Sequence, residues 1–107
     1  MPLRSDPALV PLPARLDVAT SADVRRLLHE AVDHCVGDLR LDASRVDVID
    51  AAGLGVLVGA RRRADLIGVR VVLVDPPPRL HRLLAVTRLS RLFAFDATTQ
   101  PVAVGAG

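Results

Sequence analysis

The chain has 107 residues, half of them apolar, and a formal net charge of +2, which bounds it to one domain with a single modest core. No run approaches the roughly 18 apolar residues of a membrane span, and the single cysteine, Cys35, excludes an internal disulfide and a multi-cysteine metal site. Every basic side chain is Arg and the aromatics are limited to Phe93 and Phe95, so the high calculated pI is poor evidence for nucleic acid and bases have no Tyr or Trp to stack on.

Residues 1–7 read as irregular, broken by Pro2 and Pro7, and with Arg4 and Asp6 they leave no room for the apolar core of a secretory signal. A cytoplasmic protein is expected by default. Ala8 to Pro13 reads as a short edge strand, because Pro11 and Pro13 cannot donate to a ladder. Thr20-Ser21-Ala22-Asp23 has the form of a capping box with Asp in place of Glu. The helix it opens carries Val24, Leu27, Leu28, Ala31, Val32 and Cys35 along one stripe, and Gly37 is placed to stop it.

Leu39 to Ala43 is assigned as a strand, ending near Asp42-Ala43-Ser44, and Val46 to Ile49 leads into a corner. A second helix is predicted from about Ala52 to Ile67, burying Leu57, Ala60, Ala64 and Ile67, with Gly68 closing it. Val69 to Val74 is nearly all apolar and β-branched, as a central strand covered on both faces should be. Asp75-Pro76-Pro77-Pro78 forces a turn and starts a third helix with Leu80, Leu83, Leu84 and Thr87 on one face. Leu89 to Phe95 reads as a turn and a last short strand, after which Asp96 to Gly107 is weakly patterned. The β-α-β-α-β-α-β order predicts an α/β layer with at least some parallel pairing.

The corner at Ile49-Asp50-Ala51-Ala52-Gly53-Leu54-Gly55 organises the chain. Asp50 suits a helix N-cap, its carboxylate accepting from free backbone N–H groups of the first turn. Ala51, Ala52, Gly53 and Gly55 keep that turn nearly bare, so another backbone can come close to it. Spacing alone leaves two readings open: a βα corner whose small residues permit tight packing, or a helix N-terminus that binds something.

Other constellations are weaker. Arg61-Arg62-Arg63 are consecutive on a helix and point about 100° apart, with Asp65 four residues from Arg61, so they read as a solvated face rather than a phosphate-binding patch. His29, His34, His81 and Cys35 lack zinc spacing, so no metal is expected. Ser44 has no base in reach along the sequence and no Walker-type loop occurs, so neither an enzyme nor a resident cofactor is expected. An anion or nucleotide phosphate at the bare helix N-terminus remains possible, although Asp50 would repel it.

The sequence resembles the STAS domain family, whose soluble members include bacterial anti-sigma factor antagonists. Arg15-Leu16-Asp17, Leu41-Asp42-Ala43-Ser44 with Val46, the Ile49–Leu57 block, Gly68 and the following strand, Asp75-Pro76, and Val86-Thr87-Arg88-Leu89 with Leu92-Phe93 carry the resemblance, over about Leu9 to Phe95. It implies an α/β fold, a small mixed sheet with helices packed mainly on one face, as a single domain over residues 1–107 with its core at about 8–95. It also implies a non-enzymatic regulator that docks on a kinase-like anti-sigma factor, with neither direct nucleic-acid nor membrane binding, and a monomer when free. The docking face so implied centres on Asp50, Ala51, Ala52, Gly53, Leu54 and Gly55, with Asp17, Thr20 and Ser44 around it. Family members commonly carry a serine, often two, directly after the motif Asp, where the partner phosphorylates them; Ala51 and Ala52 stand there in this chain, which implies no phosphorylation at either. The glycine often found two residues before the Asp17 position is replaced by Ala14 or Arg15, depending on alignment. A small-ligand or nucleotide-binding module, or a scaffold subunit of a larger signalling or transport complex, is the alternative implied.

Overall fold

A computed structural model describes residues 9–97. The expectations for residues 1–8 and for the chain beyond Ala97 lie outside the described residues. The elements run β1 (Leu9–Pro11), β2 (Arg15–Leu16), α1 (Ser21–Asp33), β3 (Leu39–Asp42), β4 (Val48–Ile49), α2 (Ala51–Leu66), β5 (Val71–Val74), α3 (Pro78–Val86), a 3₁₀ turn (Ser90–Leu92) and β6 (Ala94–Asp96).

Four strands form one sheet in the order β1-β3-β5-β6. Every described pairing is parallel, where a mixed sheet was expected. The reason is that each return to this sheet runs through a helix, and a helical crossover brings the chain back in its original direction. β5 lies inside, flanked by β3 and β6, and its four residues are all buried, as its unbroken apolar run predicts. β1, with Pro11, lies at an edge. Alternation along the strands divides the interior. Leu39, Leu41, Val71 and Leu73 join one core cluster with Val24, Leu28 and Val32 of α1, Val56, Leu57, Ala60 and Ala64 of α2, and Leu80 and Leu84 of α3. Val72 and Val74 point to the opposite face and are buried outside that cluster, so the helices pack on one side.

The three helix ends are of two kinds. The second closes as expected: Gly68 is left-handed at φ +75°, and Val69 N–H donates to Ala64 O at 2.9 Å across it, the Schellman arrangement. Its last apolar residue, Ile67, is exposed rather than buried, because it lies past the final turn. α3 ends in the same way, Leu89 N–H donating to Leu84 O at 2.8 Å, but with Arg88 at φ +62° where glycine is usual. α1 instead ends at Asp33, and the left-handed Gly37 turns the chain several residues later. On the α1 stripe, Leu27 is 44% exposed, since it lies at the margin of the buried arc.

One further element was not anticipated. A two-residue strand, β2, follows the expected edge strand and pairs in parallel with β4 as a separate two-stranded ribbon, Arg15 opposite Val48 and Leu16 opposite Ile49. Asp47 and Val48 N–H both donate to Ala14 O, and Asp50 N–H donates to Leu16 O at 3.1 Å. This ribbon brings the loop after β2 against the start of α2.

Candidate functional site

The first turn of α2 is built around Asp50. Its backbone is extended, and Oδ1 accepts from Gly53 N–H at 3.0 Å, the N-cap geometry its sequence position implies. Oδ2 accepts from Val18 N–H at 3.2 Å. One carboxylate therefore ties the β2–α1 loop to the α2 N-terminus.

Gly53 is the residue of close approach. A Cβ placed there would lie 2.6 Å from the Leu16 carbonyl carbon and clash with the Leu16 carbonyl oxygen. The backbone that comes close to this bare turn is the chain's own. Gly55 is different: a Cβ there would meet nothing within 4 Å.

Asp17 holds the loop from inside. It is 7% exposed, and its Oδ2 receives Arg15 Nε at 3.0 Å and Nη2 at 2.9 Å. Its Oδ1 accepts from Ala19 N–H at 3.1 Å and Thr20 N–H at 3.2 Å. Burial pushes this carboxyl up, but the Arg15 guanidinium and the backbone N–H groups of Thr20 and Ala19 outweigh it, holding its pKa below the ordinary value. The capping box expected at Thr20 does not form. Its hydroxyl donates to Arg15 O at 2.9 Å and accepts from Asp17 N–H at 3.1 Å, making no cap bond to α1. The hydroxyl is engaged by the loop, so Asp17 takes over as the acceptor ahead of the helix.

Asp17, Thr20, Asp50 and Gly53 thus form one bonded unit. Its outer surface is small and largely apolar: Val18 is 75% exposed, Ala19, Ala51 and Gly55 are exposed, Ala52 is half-buried, and Leu54 packs partly on the core. Ser44 belongs to a different bonded unit, its Oγ donating to Asp42 Oδ1 at 2.7 Å and its N–H to the same oxygen at 3.0 Å. Among the described residues no hydrogen bond joins it to Asp17 or Asp50. Sequence reasoning missed Val18, which carries no pattern at all, and the clamping role of Arg15. The latter was legible in principle, since Arg15 and Asp17 stand two apart across a strand end and so share a side. Among the described residues no three metal-ligand side chains converge, and no helix is long and apolar enough to cross a membrane.

The fold agrees with that of a known family. The model of the STAS domain family matches residues 1–102. The chain belongs to the STAS domain family. As a STAS domain it is similar in structure to an anti-sigma-factor antagonist (STAS) domain protein from Planctomyces limnophilus, with TM-score 0.73 and 18% identity over 84% of this chain and 81% of the other. It is similar also to the anti-sigma factor antagonist SpoIIAA in its unphosphorylated form, with TM-score 0.68 and 20% identity over 84% and 77% of the two chains. SpoIIAA from Bacillus in its phosphorylated form gives TM-score 0.64 and 20% identity over 84% and 80%. At these identities the likeness is one of fold.

Proposed function

We propose that this STAS protein is a non-enzymatic regulator that binds an anti-sigma factor of the kinase-like ATPase type through the Asp50 corner and so frees a sigma factor, without a phosphorylation switch at Ala51 or Ala52. One observation carries the reading: the β2–β4 ribbon, Asp50 and Gly53 fix the α2 N-terminus rigidly while Val18, Ala51 and Gly55 remain uncovered. A preformed apolar patch with one carboxylate in it suits a protein partner, because little ordering is needed on docking. Structural relatives that are anti-sigma factor antagonists support the partner class, and one of them, SpoIIAA, exists in a phosphorylated and an unphosphorylated form.

In this chain the switch lacks its acceptor. A phosphate on a residue directly after Asp50 would add roughly two negative charges to a surface that already holds a carboxylate. Ala51 and Ala52 have no hydroxyl to carry it, so the corner stays in the docking form. A small anion bound at the helix N-terminus is the weaker reading, since Asp50 already occupies the Gly53 N–H and repels the charge. The test pairs the protein with candidate anti-sigma kinases and ATP. The expected result is binding with no phosphate on the chain by mass spectrometry, loss of binding in Asp50→Arg, and acceptance of phosphate by Ala51→Ser. Phosphate on a native residue beside the corner, accompanied by release, would end the claim of constitutive docking; absence of binding to every candidate would end the assignment.

A further inference from the structure

The charge of this chain is segregated. From Pro76 to Phe95 there are four Arg residues and His81 but no Asp or Glu, while the other ten Arg share the rest of the chain with all twelve acids. The basic stretch is α3 and the turn after it. Arg79 reaches across to the residue before β4, its Nη1 donating to Asp47 O at 2.9 Å and standing 3.9 Å from the Asp47 carboxylate, whereas Arg82 has no ion-pair partner among the described residues and is the cation open to an incoming acid. Between α3 and β4 lies a groove of about 330 Å³ lined by Ile49, Arg79, Arg82, Leu83 and Val86. Half-buried Ile49 and Leu83 form an apolar floor, and Val86, 74% exposed, stands at its edge. Its rim is cationic. Ile49 also directly precedes the N-cap Asp50, so the groove opens beside the corner.

We propose that this groove receives an acidic segment of the partner protein, with Leu-like side chains on the apolar floor and Asp or Glu against Arg79 and Arg82. The inference rests on the reading of the Asp50 corner as a docking face and extends that face to α3. Charge complementarity selects the occupant: one end of the face offers the Asp50 carboxylate and the other two guanidiniums, so a partner with opposed charges is held in one orientation. A nucleic acid would leave the apolar floor unused, because its backbone recognition is electrostatic. A lipid surface would not enter a concave floor framed by a nine-residue helix. Burial of Val86 and Leu83 supplies affinity, and the arginines supply specificity.

The probe is a synthetic helical peptide with Leu at every third or fourth position and Glu between, titrated into the full chain while the methyl NMR signals of Ile49, Leu83 and Val86 are followed. The expected result is saturable shifts at these three residues, weakened by salt. Twin peptides with Lys for Glu, or Ser for Leu, should bind at least about fivefold more weakly, and Arg82→Glu should weaken the original peptide by a similar factor. Val86→Asp, at an exposed position, should abolish the shifts with the fold intact. Arg62→Gln, at an exposed position of α2, should keep peptide affinity within about twofold, and because the peptide titration needs no anti-sigma factor, failure at the corner and failure at the groove are told apart. Equal binding of the Lys twin, no effect of Arg82→Glu, or equivalent shifts induced at lower concentration by phosphatidylglycerol vesicles or duplex DNA would each overturn the proposal.

Discussion

Gly53 and Gly55 stand two residues apart in one helical turn and carry opposite consequences. A side chain at Gly53 must push into the Leu16 carbonyl, which belongs to the β2–β4 ribbon and cannot move without breaking the Asp50 N–H bond to it. Gly53→Val should therefore cost at least about 2 kcal/mol in urea denaturation. Gly55→Ala should instead stabilise by roughly 0.5–1 kcal/mol, because it fills open space and removes helix-interior glycine entropy; equal effects at the two sites would contradict the geometry. Asp17 gives a pH prediction with a definite sign. Its folded pKa is lowered, so its contribution is complete above the ordinary value of about 3.9 and is lost as pH falls through the lower folded value. Asp17→Asn should be less stable than the wild type at neutral pH, with the gap closing below about pH 4. A gap that persists unchanged at lower pH would mean that the charge of Asp17 plays no part.

At the scale of the element, the α2 N-terminus separates folding from docking. A negative charge there meets the positive end of the helix dipole, so Ala51→Glu should leave stability unchanged or raise it by up to about 1 kcal/mol. The same side chain projects from an exposed position in the proposed contact surface, next to Asp50. Partner affinity, measured by calorimetry against a binding anti-sigma factor, should fall at least about tenfold, a change of roughly 1.4 kcal/mol. Opposite signs in the two measurements are the expected signature. A joint fall in stability and affinity would identify Ala51 as a packing residue.

Across the whole molecule, stability should be graded by position in the sheet. β5 is hydrogen-bonded on both sides and covered on both faces, whereas β1 and β6 lie at the edges. Backbone amides of Val71–Val74 should exchange with deuterium slowest, and those of Leu9–Val10 and Ala94–Asp96 much faster. Uniform exchange would show that the sheet opens as a single unit. The charge asymmetry of α3 is also a property at this scale, since no single arginine creates it.

Much of this architecture follows from local sequence. The β5 run, the Asp50 cap, the left-handed Gly68 and the proline start of α3 each depend on residues within a few positions of one another, so propensity and hydrophobic period reveal them. The bareness of the corner was legible too, as was the room it leaves for a close backbone. What only tertiary structure decided was which backbone approached: Leu16 lies far from Gly53 in sequence, and a two-residue strand such as β2 is too short to show a period. The same reason hid the Val18–Asp50 bond. It also hid that Thr20, although it stands at the N-cap of α1, makes no side-chain cap bond, because its hydroxyl is satisfied against Arg15 and Asp17 once the loop is folded. Local chemistry determines elements and their ends; long-range hydrogen bonds determine which ends meet, and the candidate site exists where they do.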